Sequence, residues 1–170
     1  MKRRGILIAS ISIVFLFCVC NCSRSSGPIK VGFSGQLSGS AGTPSSVVRN
    51  GVVLAVEHIN AEGGMNGRPI ELYIEDDKGS VQLAPQVDQK HYQREVEALL
   101  GHTTSEMSLA ALDFCNEHEL LMLSPTSSAE SLMGWDDYFF TLYPRNRQLA
   151  RKLAKFAYTD LHSRKIAVLL

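Results

Sequence analysis

Beyond residue 22 the 170-residue chain holds a single cysteine, Cys115, out of four. A lone thiol forms no internal disulfide even in an oxidising compartment, so a hydrophobic core must carry the fold. An excess of positive charge is missing as well. Lys and Arg total 17, Asp and Glu total 17, and the formal net charge is zero. Binding to nucleic acid needs a basic surface that displaces counterions from phosphates, and this balance gives no reason to expect such a partner. After the N-terminal segment no apolar run approaches the ~18–20 residues needed to cross a bilayer. Enzyme signatures are absent too. Glycines 32, 35, 39 and 42 do not fit G-x-G-x-x-G, and neither G-K-[ST] nor G-x-S-x-G occurs. His58, His91, His102, His118 and His162 have no metal-ligand spacing, so each reads as a surface or internally satisfied side chain. No catalytic residue, metal or cofactor is assigned.

The first 22 residues differ from the rest. MKRR is a cationic start and GILIASISIVFLF an uncharged apolar run of secretory length. Cys18, Cys20 and Cys22 close that run, and a flexible SRSSG follows. The pattern matches a bacterial lipoprotein signal, which is cut before a cysteine that is then lipidated. Val19 and Cys20 favour Cys22 as that cysteine, whereas Asn21 is a poor fit before it. An uncleaved membrane anchor is the other reading. Cleavage removes Lys2, Arg3 and Arg4, leaving fourteen basic against seventeen acidic residues, a net charge of minus three. The expected organisation is a signal at 1–22, a tether at 23–28, a ligand-binding lobe at 29–144, and a crossover helix with a further strand at 145–170.

From Ile29 onward strands and helices alternate. IKVGFSG reads as a buried strand that breaks at glycine. Val48, Val52, Ala55, Val56 and Ile59 have helical spacing within 46–62, and Gly63-Gly64 stops that helix. IELYIEDD is a second strand, followed by a helix over 81–94 with Pro85 in its first turn. VEALLG, a helix over 105–118 with Cys115 packed inside, LLMLSP, a short strand over 138–142, a basic helix over 145–161 and a strand KIAVLL complete the order. Such alternation implies a parallel sheet covered on both faces, and right-handed crossovers make it a doubly wound, Rossmann-like α/β lobe. KIAVLL has no following helix to cover it. It either joins this sheet or begins a second lobe.

Ligands of open α/β sheets bind beyond the carboxyl ends of the strands. Three loops there are rich in small hydroxyl residues: SGQLSGSAGTPSS (34–46), GHTTSE (101–106) and SPTSSAE (124–130). N–H groups at a helix N-terminus attract carboxylates, and serine and threonine add uncharged donors. One such loop is explained by helix capping alone, but three at one sheet edge suit a small polar ligand that carries a carboxylate. Asp76-Asp77 at a strand end reads as a turn cap, with a cation site as the alternative.

IKVGFSGQLSG, RNGVVLAVEHINAEGGMNGRPIELYIEDD, ALLGHTTS, LLMLSPTSSAESL and KIAVLL, in this order and spacing, resemble the type I periplasmic binding proteins of the leucine/isoleucine/valine-binding kind. The resemblance spans 29–170. It implies the first of two Rossmann-like lobes that close on an amino acid, in a receptor that delivers solute to an ABC transporter permease from the periplasm or cell surface. By that resemblance Ser105 and the hydroxyl of Ser128 hold the ligand's charged groups, together with the backbone of Ser127. Thr104 and Thr126 lie in the same two loops. Ser38 to Pro44 form part of the side-chain wall, with Cys22 the lipid anchor. Pro44 stands where an aromatic wall residue can occur, which leaves side-chain preference open. QREVEALL lacks the glycine common before the third strand. The second lobe is expected to be missing or truncated. The sensory region of a membrane-anchored receptor is the alternative function.

Overall fold

Apolar β-branched runs broken by Gly and Pro build a sheet of five parallel strands in a computed structural model that describes residues 27–39, 42–134 and 137–167. The signal segment with Cys22, most of the tether, Ser40, Ala41, Trp135, Asp136 and the last three residues lie outside that set, as does the side chain of Thr43. The elements are β1 (Ile29–Gly35), α1 (Gly42–Ala61), β2 (Ile70–Asp76), α2 (Ala84–Gln93), β3 (Ala98–Leu100), α3 (Ser105–Glu117), β4 (Met122–Ser124), β5 (Phe139–Thr141) and α4 (Asn146–Thr159), with a short 3-10 turn at Glu130–Leu132. Strand order is β2-β1-β3-β4-β5. The chain leaves β1 towards β2 and later returns past β1 to β3, so the topology reverses between β1 and β3. Loops that leave those two strands therefore diverge and open a crevice at their carboxyl ends.

Register divides the sheet into two faces. Leu99 pairs with Met122 and Met122 with Phe139, and on their side the core gathers Ala84, Met107, Ala111, Cys115, Leu120 and Leu132 from α2, α3 and the following turns. Cys115 is fully buried there, as its apolar neighbours predict. Cover is thinner on the other face. Val48, Val52, Val56 and Ile59 of α1 point at Val31, Ala98 and Leu100, yet all four stay half-buried around a cavity of about 590 Å³. Further along, Leu121 and Phe140 are 38% and 57% exposed. The expectation of a sheet covered on both faces thus holds fully for one face and only around α1 for the other.

Boundaries follow local chemistry. α1 begins at 42 rather than 46 because Pro44 lies in the first turn, where its missing N–H costs nothing. It ends where Gly64 N donates to Ile59 O and a Cβ on Gly64 would overlap the Arg68 carbonyl oxygen. Asn60 then bridges both backbone groups of Ile70, at 2.7 and 2.8 Å, and so fixes the start of β2 to the end of α1. α2 starts at 84, three residues later than predicted, because Asp77 and Ser80 turn the chain first. Of the expected terminal strand KIAVLL, residues 165–167 carry no regular structure and 168–170 lie outside the described set, so the strand is not tested. Among the described residues no helix is long and apolar enough to cross a membrane.

Candidate functional site

Gly101 ends β3 because nothing larger fits. Its φ is +150°, and a Cβ would overlap the Ser34 carbonyl oxygen on β1. The chain can therefore turn directly against the neighbouring strand, and Thr103 lands in the crevice. Its hydroxyl accepts from Gln36 N at 3.3 Å and shares a 2.8 Å hydrogen bond with Ser45 Oγ of α1, so the first and second hydroxyl loops meet on this one side chain. Thr104 follows as the N-cap of α3, with extended backbone and its oxygen accepting from Met107 N.

The third loop joins from β4. Thr126 Oγ1 donates to Thr103 O at 2.8 Å, and the Ser105 hydroxyl accepts from Ser128 N at 3.1 Å and Ala129 N at 3.3 Å. A hydroxyl that accepts two N–H groups still has its own proton to donate. Ser105 and Ser128 thus stand half-buried beside the N-terminus of a 13-residue helix, facing a positive dipole end. Ser127 is turned the other way. Its hydroxyl is buried against Ser108 Oγ at 2.8 Å, its N–H donates to Ser124 Oγ at 3.0 Å, and its carbonyl accepts from Thr141 Oγ1 at 2.7 Å. Ser38 on the first loop and Pro44 in the first turn of α1 are both exposed. Asp76 organises that loop by accepting from Leu37 N at 2.8 Å and Lys78 N at 2.9 Å. Burial pushes its carboxyl up, but bonds from Ser38, Lys78 and Leu37 outweigh that and hold it below its ordinary value. The turn-cap reading of Asp76-Asp77 is the observed one, and among the described residues no cluster suits a metal ion.

The structure brings Thr104, Ser105, Thr126, Ser127 and Ser128 to one place. Beneath them lies a group that motif reasoning missed. His102 is fully buried, with Nδ1 2.7 Å from Asp77 Oδ2 and Nε2 3.1 Å from Asp88 Oδ2. Ser34 Oγ donates to the other oxygen of Asp88 at 2.8 Å. The only local trace of this cluster is the Gly-His pair that opens the second loop. The 590 Å³ cavity under α1 is a different feature, lined almost wholly by apolar side chains, and a zwitterion would gain no partners in it.

Comparison with known proteins gives the family and the fold. The family described as "Periplasmic binding protein" matches residues 28–170. The leucine-, isoleucine-, valine-, threonine- and alanine-binding protein of Pseudomonas aeruginosa is 30% identical over 151 residues, covering 86% of this chain and 40% of that protein. Among solved structures, a branched-chain amino acid transporter substrate binding protein from Streptococcus pneumoniae, in complex with isoleucine, is similar with a TM-score of 0.73 and 28% identity, over 79% of this chain and 39% of that one. A substrate-binding protein from Desulfitobacterium hafniense in complex with Leu has a TM-score of 0.67 and 26% identity, over 78% and 39%. The chain thus spans about two fifths of the length of the relatives it matches.

Proposed function

The chain belongs to the periplasmic binding protein family, and from that premise we propose that it forms the first lobe of a solute receptor for an ABC transporter, binding a branched-chain amino acid without chemistry. One observation carries the reading. Ser105, at the N-terminus of α3, is bridged to the N–H groups of Ser128 and Ala129, so hydroxyls, amides and a helix dipole converge on one uncharged cradle. With those two amides already donating to it, the Ser105 hydroxyl keeps its own proton to give, and a carboxylate at the positive end of the helix would accept it. On this reading backbone carbonyls of the same loops are left to accept from the ammonium, and the exposed Ser38 and Pro44 are assigned to the side-chain wall. A neutral cradle suits a zwitterion, because an added cationic side chain would bring net attraction but would also hold a lone anion. Leucine and isoleucine in the relatives support the aliphatic class.

Delivery to a permease follows from the same reading, as does residence in the periplasm. The sequence supports anchoring through a lipid on Cys22, tested by incorporation of labelled fatty acid that is lost in Cys22→Ala. For the site, amide spectra of the 170-residue chain titrated with leucine should shift at Thr104, Ser105 and 126–129. Each hydrogen bond to a charged ligand group contributes roughly 1.5–3 kcal/mol. Ser105→Ala combined with Ser128→Ala should therefore weaken binding at least tenfold. Equal leucine affinity in the double variant, or shifts confined to other segments, would sink the proposed site.

A further inference from the structure

Buried charge lies directly under the hydroxyl loops. Both ring nitrogens of His102 face carboxylate oxygens, at 2.7 Å from Asp77 and 3.1 Å from Asp88. A neutral imidazole has one N–H and one lone pair, so one of these contacts would set a lone pair against an anion. Only the doubly protonated ring donates to both. The carboxylates are otherwise occupied: Asp77 Oδ1 accepts from Gly79 N at 2.8 Å, and Asp88 Oδ1 from Ser34 Oγ at 2.8 Å. The same residue is held through its backbone. His102 O accepts from Ser124 Oγ at 2.7 Å and from Ser127 Oγ at 3.5 Å.

On the reading that these loops bind an amino acid, we propose that His102, clamped as an imidazolium between Asp77 and Asp88, is the positioning residue of the site. The ring anchors the loop after β3 to the loop after β2 and to α2, while the carbonyl draws the loop after β4 onto it. The spacing of Ser105 from Ser128 and Ala129 is set by that pair of attachments. Other titratable groups nearby act through Asp88: the Cys115 thiol from α3 lies 3.6 Å from Asp88 Oδ2, and His91 of α2 feels the same carboxylate. Burial opposes charge on His102, but Asp88 and Asp77 outweigh it and carry the pKa up to about 9.

Amide and imidazole spectra of the 170-residue chain, followed from neutral to alkaline pH, test this. The His102 ring should titrate near 9, and the amides of Thr104, Ser105, Ser128 and Ala129 should move with the same midpoint. Asp88→Asn should lower the ring's midpoint, with those amides following it. A ring already neutral at neutral pH, or one that titrates while the four amides stay still, overturns the proposal. At neutral pH His102→Gln should weaken leucine binding about tenfold, the effect of losing one directed contact. Unchanged affinity in that variant also overturns it. Should His102→Gln fail to fold, Asp88→Asn supplies the same comparison. Absence of leucine binding in the unaltered chain defeats the amino-acid reading instead, and the coupling of the four amides to the ring still decides the positioning role.

Discussion

His91 and His102 are both buried, and their surroundings ask opposite charge states of them. His91 Nε2 lies 3.3 Å from Phe33 O, while Nδ1 has no partner and the ring packs against the face of Gly32. Burial pushes its pKa below the ordinary 6.5 in spite of Asp88, so the ring is neutral in the fold. Unfolded, it takes up a proton below 6.5. Its contribution to stability is therefore present above that pH and is lost as the pH falls. His102 behaves in the reverse sense. Its folded pKa is raised, so its contribution is complete below 6.5 and is lost as pH rises through about 9. From these two groups the stability profile should be a maximum near pH 6.5, with urea midpoints declining on the acid side through His91 and on the alkaline side, up to about 9, through His102. His91→Leu should flatten the acid limb and His102→Gln the alkaline one, and limbs unchanged in those variants would refute the assignment. Neither role was legible in the sequence. Asp77 and Asp88 sit 25 and 14 residues from His102, so no local spacing reports the cluster. The hydroxyl loops were legible, because capping chemistry repeated at three strand ends is written in contiguous residues.

Among the elements, order and type followed from periodicity, since the 3.6-residue and continuous apolar patterns are local properties. What periodicity omits is how closely a helix seats. α1 carries the predicted stripe, yet Val48, Val52 and Val56 stand over a cavity that they line together with Ile29, Val31, Ile70, Ala98 and Leu100. The junction from α2 to β3 shows a local rule broken. The missing glycine before the third strand is replaced by Glu95 at φ +59°, where Glu95 N donates to Tyr92 O and Val96 N to His91 O to close the helix. A left-handed non-glycine residue costs roughly 1–2 kcal/mol, which glycine's greater freedom in the unfolded chain offsets in part. The side chain forms a 3.6 Å surface pair with Lys30, and such pairs contribute little. Glu95→Gly should therefore stabilise the chain by about 1 kcal/mol, read as a higher urea midpoint at unchanged slope. A loss of stability would mean that the pair with Lys30 outweighs the backbone strain.

For the molecule as a whole, the unequal cover of the sheet and the fraction of its relatives that it spans point to the same consequence. Leu121 just before β4, Phe140 on β5, and Leu149, Leu153 and Phe156 on α4 leave apolar surface in water, and no residue of α4 is buried. Patches of this kind favour association. The candidate site is likewise one-sided, because the loops of a single sheet edge touch one side of a ligand whereas binding pockets bury about 70–90% of it. Leucine should therefore bind weakly to the 170-residue chain. Joining the remainder of the Pseudomonas aeruginosa relative after Leu170 should raise affinity by roughly a hundredfold, a gain of about 3 kcal/mol. The same addition should reduce binding of a hydrophobic dye by covering Phe140 and the apolar stripe of α4. Tighter leucine binding with undiminished dye binding would show that a second lobe closes over the ligand without packing on this face. Diminished dye binding with no gain in affinity would show that the added segment covers the sheet but that Ser105 and Ser128 do not face the ligand.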